Sequence, residues 1–501
     1  MRVSTFVLGV LLTAWPSASP AAWQVAKSKH FIIYADDRPK TVQDFATKLE
    51  RFDQAARVLL RMDDPPVGDG NRVTVFVVPT DIEVRRLAGD RTGFLQGFYK
   101  GRVEGSVVYV PKKSDFDGGL GANPILYHEY SHHLMMQQLD QPYPEWYVEG
   151  FAEFMSTPKF EKDGSVGLGT APLHRAYSLF NKSLPLEALF TSDVSKLSAD
   201  QRETLYGRAW LLTHFLIMEQ PRKGQLTAYV QAISKGQPSL EAARATFGDF
   251  TQLDKNLESY LNRSRIMYFK IPGAKVQPGP IDVEPVSAGG AEIMPIRWRI
   301  KNGVAASEAE AIAGQARQIE GRYPGDELVE TTLAEAELDA SHYQSAEAAA
   351  NRAIKANPRS PEALLLKGRA MLERAAVAEG DQTALFAEAR KTFIAANKID
   401  AEDPEPLLDF YQAYVREGVR PTANAIDALH YASNLAPQDV GVRMNSALAY
   451  LNEGKTKEGR ETLVPVAYSP HGGGASAAAR RVIARIDAGE GKEAAKAAFS
   501  R

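Results

Sequence analysis

Leu126-Tyr-His-Glu-Tyr-Ser-His-His-Leu134 is the stretch on which the reading of this 501-residue chain turns. It contains His128-Glu129-x-x-His132. On a helix, residues four apart share a face, so both imidazoles can reach a single metal ion. Glu129 is turned about 100° from His128 and can address a water rather than the metal. Two ligands and one base are the division of labour that water activation at zinc needs. Asn123 and Pro124 supply an N-cap and a first helical residue, which predicts a helix from there to about Gln138.

Composition narrows the rest. With 44% hydrophobic and 24% charged residues the chain reads as globular, and its length calls for two or three domains. A net charge of −3 gives no electrostatic reason to expect nucleic acid. There is no cysteine, so disulfides, thiolate ligands and thiol catalysis are excluded, and zinc must be held by His, Asp or Glu. Residues 1–22 pair Arg2 with an apolar run from Thr5 to Trp15 and a small-residue region, the pattern of a secretory signal peptide. Cleavage is expected after Ala21 or Ala22; the alternative is an uncleaved anchor. The run is shorter than the ~20 residues that span a bilayer, so stable membrane insertion after cleavage is not expected. An exported chain without cysteine suits a bacterial periplasm.

Working outward, His30 to Tyr34 and Val73 to Val78 read as strands on either side of an amphipathic helix, Thr41 to Met62. Phe94 to Gly101 and Ser106 to Pro111 read as two more strands before the motif helix. After it, Glu145-Trp-Tyr-Val-Glu-Gly-Phe-Ala-Glu-Phe-Met155 reads as a second helix, and Leu205 to Met218 as a third.

These helices carry a resemblance. His128-Glu129-x-x-His132 followed by Trp146-x-x-Glu149-Gly-Phe-Ala resembles the gluzincin metallopeptidases, in the thermolysin-like and aminopeptidase N-like manner, over about half of the chain. The loop between the two helices is shorter than in those two families. The resemblance implies an α+β peptidase domain, one Zn2+ per chain, and Glu149 as third ligand. Glu153, one turn on, is implied as the carboxylate that orients His128, or as the competing ligand. It also implies Tyr206, in Tyr206-Gly-Arg-Ala209, as donor to the oxyanion, with a core tyrosine as the plain alternative. The strand before the motif helix is expected to form the sheet edge along which substrate pairs, or simply an edge. No Gly-x-Met-x-Asn precedes the motif, so an endopeptidase is expected, with Glu129 as general base. His133 and His214 read as structural, and Arg208 as a contact for a substrate carboxylate if it faces the site.

Residues 266–302 are rich in proline and glycine and read as a linker with short strands, for example Ile296 to Ile300. Beyond it, prolines at 324, 358, 404, 437 and 470 recur at intervals of 34, 46, 33 and 33 in an alanine-rich helical region. That period, with Gly368 and Ala353 in place, resembles tetratricopeptide (TPR) repeats. Residues 378–383 are expected to form a longer loop in the 46-residue interval, and Ala475 to Phe499 a capping helix. The expected organisation is a signal peptide (1–22), a gluzincin-like domain (23–265), the linker (266–302) and a TPR-like all-α solenoid (303–501). A concave repeat surface implies a protein partner or substrate segment. The leading expectation is an exported zinc peptidase acting on a peptide or protein. The alternative is a periplasmic repeat scaffold with a vestigial or structural zinc site, and zinc hydrolysis of another substrate class also stays open.

Overall fold

The computed structural model describes residues 23–90, 95, 97–112, 120, 124–137, 143–181, 184–192, 196–467 and 473–498. The expected signal peptide, the Asn123 cap, most of the glycine-rich loop 115–122 and Pro470 lie outside the described residues.

Burial alternates with period two along β1 (Trp23–Lys27) and β2 (Phe31–Asp36); the other strands are β3 (Val73–Val78), β4 (Phe98–Lys100), β5 (Val107–Pro111), β6 (Lys159–Phe160), β7 (Val166–Leu168), β8 (Phe269–Ile271) and β9 (Asp282–Pro285). Six of them form a mixed sheet in the order β4-β5-β3-β2-β1-β9, parallel at β2/β3 and β3/β5. The other three form a small antiparallel sheet, β6-β7-β8. The strand expected at the edge, β5, is interior, because β4 folds back antiparallel along it and takes the edge.

Both faces of the large sheet are covered, which is why β3 is apolar almost throughout. Phe31, Ile33, Val75, Val77, Val108 and Val110 face the main core. On the other face Tyr34, Phe76 and Tyr109 stack across the strands with ring centroids 5.5 Å apart. Helices follow in chain order: α1 (Pro39–Leu60), α2 (Asp81–Ala88), α3 (Pro124–Gln137), α4 (Glu145–Met155), α5 (Ala176–Asn181), α6 (Leu186–Thr191), α7 (Ala199–Met218), α8 (Gln225–Ser234), α9 (Ser239–Phe247) and α10 (Phe250–Leu261). Both α1, through Phe45, Leu49 and Phe52, and α3, through Tyr127 and Tyr130, pack on the main core. Helix α7 starts earlier than expected, at a Ser198/Gln201 capping box, so Tyr206 sits in its second turn rather than opening it.

The remaining helices are α11 (Ala288–Asn302), α12 (Ala306–Glu320), α13 (Glu327–Asp339), α14 (Tyr343–Ala356), α15 (Pro361–Val377), α16 (Thr383–Ile399), α17 (Pro404–Glu417), α18 (Ala423–Leu435), α19 (Val440–Asn452), α20 (Thr456–Ala467) and α21 (Gly473–Asp487). They stack in chain order as a helical solenoid, each helix packed on the next. At Gly368 a Cβ would lie 2.4 Å from Phe393 of α16, so only glycine lets that pair close. Three expectations need correction. Ile296 to Ile300 is helical, because Ser287 caps α11 and Ile293, Ile296 and Ile300 bury at helical spacing. The 46-residue interval is lengthened largely by helix, α15 and α16 having 17 residues each against 13 and 14 in the preceding pair. The last helix stops at Asp487 and turns through Gly489 at φ +88° into a short 3-10 segment.

The inner helices of the array, α11, α13, α15, α17 and α19, face the sheet-bearing N-terminal half. Trp298 and Met294 pack on the aromatic face of the sheet, and the Tyr109 hydroxyl donates to the Trp298 carbonyl at 2.8 Å. Asn71 donates to the Leu435 carbonyl at 2.6 Å, and the Val103 amide to Asp439 at 2.8 Å. Arg443 reaches the Met136 carbonyl, at the end of α3, at 3.3 Å. The concave face expected to await a partner thus encloses the chain's own sheet, leaving a cavity of about 550 Å³ lined by Tyr34, Phe76, Arg297, Glu362 and Arg369 among others.

Candidate metal centre

Helix α4 packs against both α3 and α7, and a glycine lets it approach α7 closely. A Cβ on Gly150 of α4 would stand 2.6 Å from the Ala209 carbonyl and 2.5 Å from the Thr213 hydroxyl of α7. The small residue after Glu149 therefore brings α7, with Tyr206, against the helix that carries Glu149.

The structure brings His128, His132 and Glu149 together, all buried. Their inward atoms form a tight triangle. His128 Nε2 lies 3.3 Å from Glu149 Oε2, His132 Nε2 lies 3.7 Å from the same oxygen, and the two Nε2 atoms are 3.1 Å apart. Around a tetrahedral zinc with bonds of about 2.0–2.1 Å, neighbouring ligand atoms sit about 3.3 Å apart, so the donor set fits the ion.

Glu153 stands behind His128, with Oε1 3.2 Å from Nδ1. An ionised carboxylate only accepts, so Nδ1 carries a proton, and a zinc ion would replace the second proton, on Nε2, with a bond to the lone pair that faces the triangle. Burial opposes a charge on His128, but Glu149 and Glu153 outweigh it and lift its pKa to about 10. Burial likewise works against Glu149 as an anion, yet His132 and His128 hold its carboxyl well below the usual range. The site is built to stabilise positive charge.

Glu153 has further partners that the motif does not announce. Arg175 donates to Oε1 from Nη2 at 2.6 Å and from Nε at 3.1 Å, and His174 Nε2 lies 3.2 Å from Oε2. Both sit on the turn Leu173–Arg175 that leads into α5. Burial would raise the Glu153 carboxyl, but Arg175 and the two imidazoles hold it far below its ordinary value. No spacing rule points to His174 or Arg175, because their approach depends on how 156–172 folds through β6 and β7.

Tyr206 is beside the triangle, its ring centroid 6.0 Å from that of His128. Burial raises its phenol, and the charges of Glu149 and then Glu129 raise it further, so it stays protonated as a donor. Glu129 is half-buried and outside the triangle.

The other candidates lie elsewhere. His133 is stacked on Tyr130 and held between Tyr99 at 2.8 Å and Gln137 at 3.0 Å, and burial lowers it to about 3. His214 faces the Gly169 and Met267 carbonyls at 2.9 and 3.0 Å. Arg208 pairs with Asp254 of α10 rather than facing the site.

A second group of metal-ligand types, His30, Asp53 and Asp64, has a different character. Asp53 already accepts from Arg57 at 2.8 Å and from Tyr130 at 2.8 Å, while Glu50 Oε2 lies 2.8 Å from His30 Nδ1. With a guanidinium inside, this is an ion-pair network tying α1 to α3. Burial alone would lower His30, but Asp53, Asp64 and Glu50 raise it to about 9. A raised histidine adds stability that is complete below its unfolded value of about 6.5 and disappears as pH climbs through about 9. Urea melts between pH 6 and 9.5 should show up to about 3 kcal/mol lost over that window. His30→Asn should start less stable at pH 6 and lack that slope; an unchanged slope would remove His30 as its source.

No family model matches the sequence. No curated protein matches it. Among solved structures it is similar to a thermophilic TPR protein of Thermus thermophilus, at 18% identity and a TM-score of 0.33, covering 38% of this chain and 97% of that one.

Proposed function

We propose that the chain is an exported zinc-dependent peptidase of the gluzincin type, cutting within extended polypeptide segments. One observation carries this reading: His128, His132 and Glu149 converge to within 3.1–3.7 Å beside a base, Glu129, and a phenol, Tyr206. His128, His132 and Glu149 would hold the zinc, and the bound ion supplies the Lewis acidity that makes a water reactive near neutral pH. Glu129 takes the proton of the attacking water and returns it to the leaving amine. The Tyr206 hydroxyl donates to the carbonyl oxygen as it gains charge. Leu173, Tyr177 and Phe180, exposed on the segment that supplies Arg175, favour a polypeptide over a small polar substrate.

Mass-spectrometric analysis of an unfolded protein incubated with the zinc-loaded chain tests the reading. Internal cuts abolished by a chelator and restored by zinc are expected; no cuts would refute it. Tyr206→Phe should lower kcat about 100-fold with zinc content unchanged. A loss under threefold would return Tyr206 to a packing role.

A second reading has its own observation. The inner face of the repeats encloses the sheet, as expected of a scaffold whose metal site only braces the fold. TPR-like arrays serve protein interaction, and here the surface left for a further partner is the outer helices. A structural site needs ligands but neither Glu129 nor Tyr206, which is why the peptidase is preferred.

A further inference from the structure

We propose that Arg175 is a positioning residue that locks the metal-binding half of the site to its oxyanion-binding half; this rests on the peptidase reading. Its guanidinium makes two contacts of different kinds. Two of its nitrogens grip Oε1 of Glu153, whose same oxygen lies 3.2 Å from His128 Nδ1. The guanidinium also lies over the Tyr206 ring, 5.4 Å from its centroid, within the range of a cation–π contact. Tyr206 and His128 are themselves neighbours, with ring centroids 6.0 Å apart. Arg175, Glu153, His128 and Tyr206 therefore form a closed ring of contacts, and the four come from the 173–175 turn, α4, α3 and α7.

The segment behind Arg175 is anchored, so the clamp has a fixed base. Ser178 donates to the Arg175 carbonyl at 2.9 Å, and a Cβ on Gly207 would stand 2.8 Å from the Ser178 hydroxyl. The turn thus packs against α7 at the residue following Tyr206. Arginine is required for both contacts at once. Its planar fork suits the carboxylate while its face covers the ring, whereas lysine offers a point charge that can satisfy only the first.

The two contacts separate by experiment. Zinc affinity is measured by competition with a chelating dye, and kcat and KM on an internally quenched peptide that the wild type cleaves. Arg175→Ala should weaken zinc binding about tenfold or more, as loss of outer support for a ligand does, and lower kcat at saturating zinc. Arg175→Lys should bring zinc affinity back to within about threefold of wild type while kcat stays about tenfold down with KM little changed. Combined with Tyr206→Phe, Arg175→Lys should add almost nothing to the loss in kcat. Wild-type zinc affinity in Arg175→Ala overturns the proposal, as does equal recovery of affinity and kcat in Arg175→Lys. The zinc measurement needs no turnover, so a wild type that cleaves no peptide refutes the peptidase while an unweakened Arg175→Ala refutes the clamp.

Discussion

Glu129→Gln is expected to abolish peptide hydrolysis while leaving one zinc bound per chain. The substitution keeps the shape of the side chain but gives an amide that cannot take a proton. The loss of a general base costs about 10²–10⁴-fold in rate. Metal binding should survive because the converging donors are His128, His132 and Glu149, and the glutamate at 129 stands outside them. Its charge also raises the phenols of Tyr206 and Tyr99, so it stands near both rings. Zinc content by atomic absorption and turnover on a quenched peptide give the two readouts. Hydrolysis above about a tenth of wild type would eliminate Glu129 as the base. Loss of zinc instead would show that the residue is needed to build the site.

Glu149→Ala and Glu153→Ala should differ sharply in zinc affinity. A four-ligand zinc site is worth about 10–16 kcal/mol, so one ligand accounts for roughly 3–4 kcal/mol, or about 10²–10³-fold in Kd. Glu149 is that ligand by position, its Oε2 lying 3.3 and 3.7 Å from the two Nε2 atoms. Glu153 touches His128 only at Nδ1, on the far side of the ring, and loss of such a partner costs about 10–100-fold. Removing Glu153 also leaves Arg175 and His174 facing a buried gap, so Glu153→Gln is the cleaner companion variant. Chelator competition on the three variants ranks them. A larger loss from Glu153→Gln than from Glu149→Ala would exchange their roles.

How much of this was legible in the chain follows the range of each interaction. Helical periodicity places His128 and His132 on one face and Glu153 one turn from Glu149, because those relations are local. Assigning Glu149 across a sixteen-residue gap took a family resemblance, since nothing local says where α4 crosses α3. His174 and Arg175 were not legible at all; their contact with Glu153 depends on a tertiary path. Likewise β9 pairs with β1 from more than 250 residues away, and no turn signal links them. Ile296 to Ile300 misled because a β-branched, aromatic run satisfies a strand, whereas the helical spacing from Ile293 onward decides once Ser287 caps the segment. The repeat period foretold stacked helix pairs, yet not that their concave face would close over the sheet. That outcome depends on Trp298 and the Tyr34, Phe76 and Tyr109 ladder being complementary.

The central claim is that this triangle holds a catalytic zinc. Titrating zinc into metal-free protein while following hydrolysis of a quenched peptide tests it most directly. Activity should rise in proportion to zinc and level off at one equivalent per chain, with no rise in His128→Ala. Binding of one equivalent without any hydrolysis across a broad peptide library would contradict the account and leave a repeat scaffold with a structural metal.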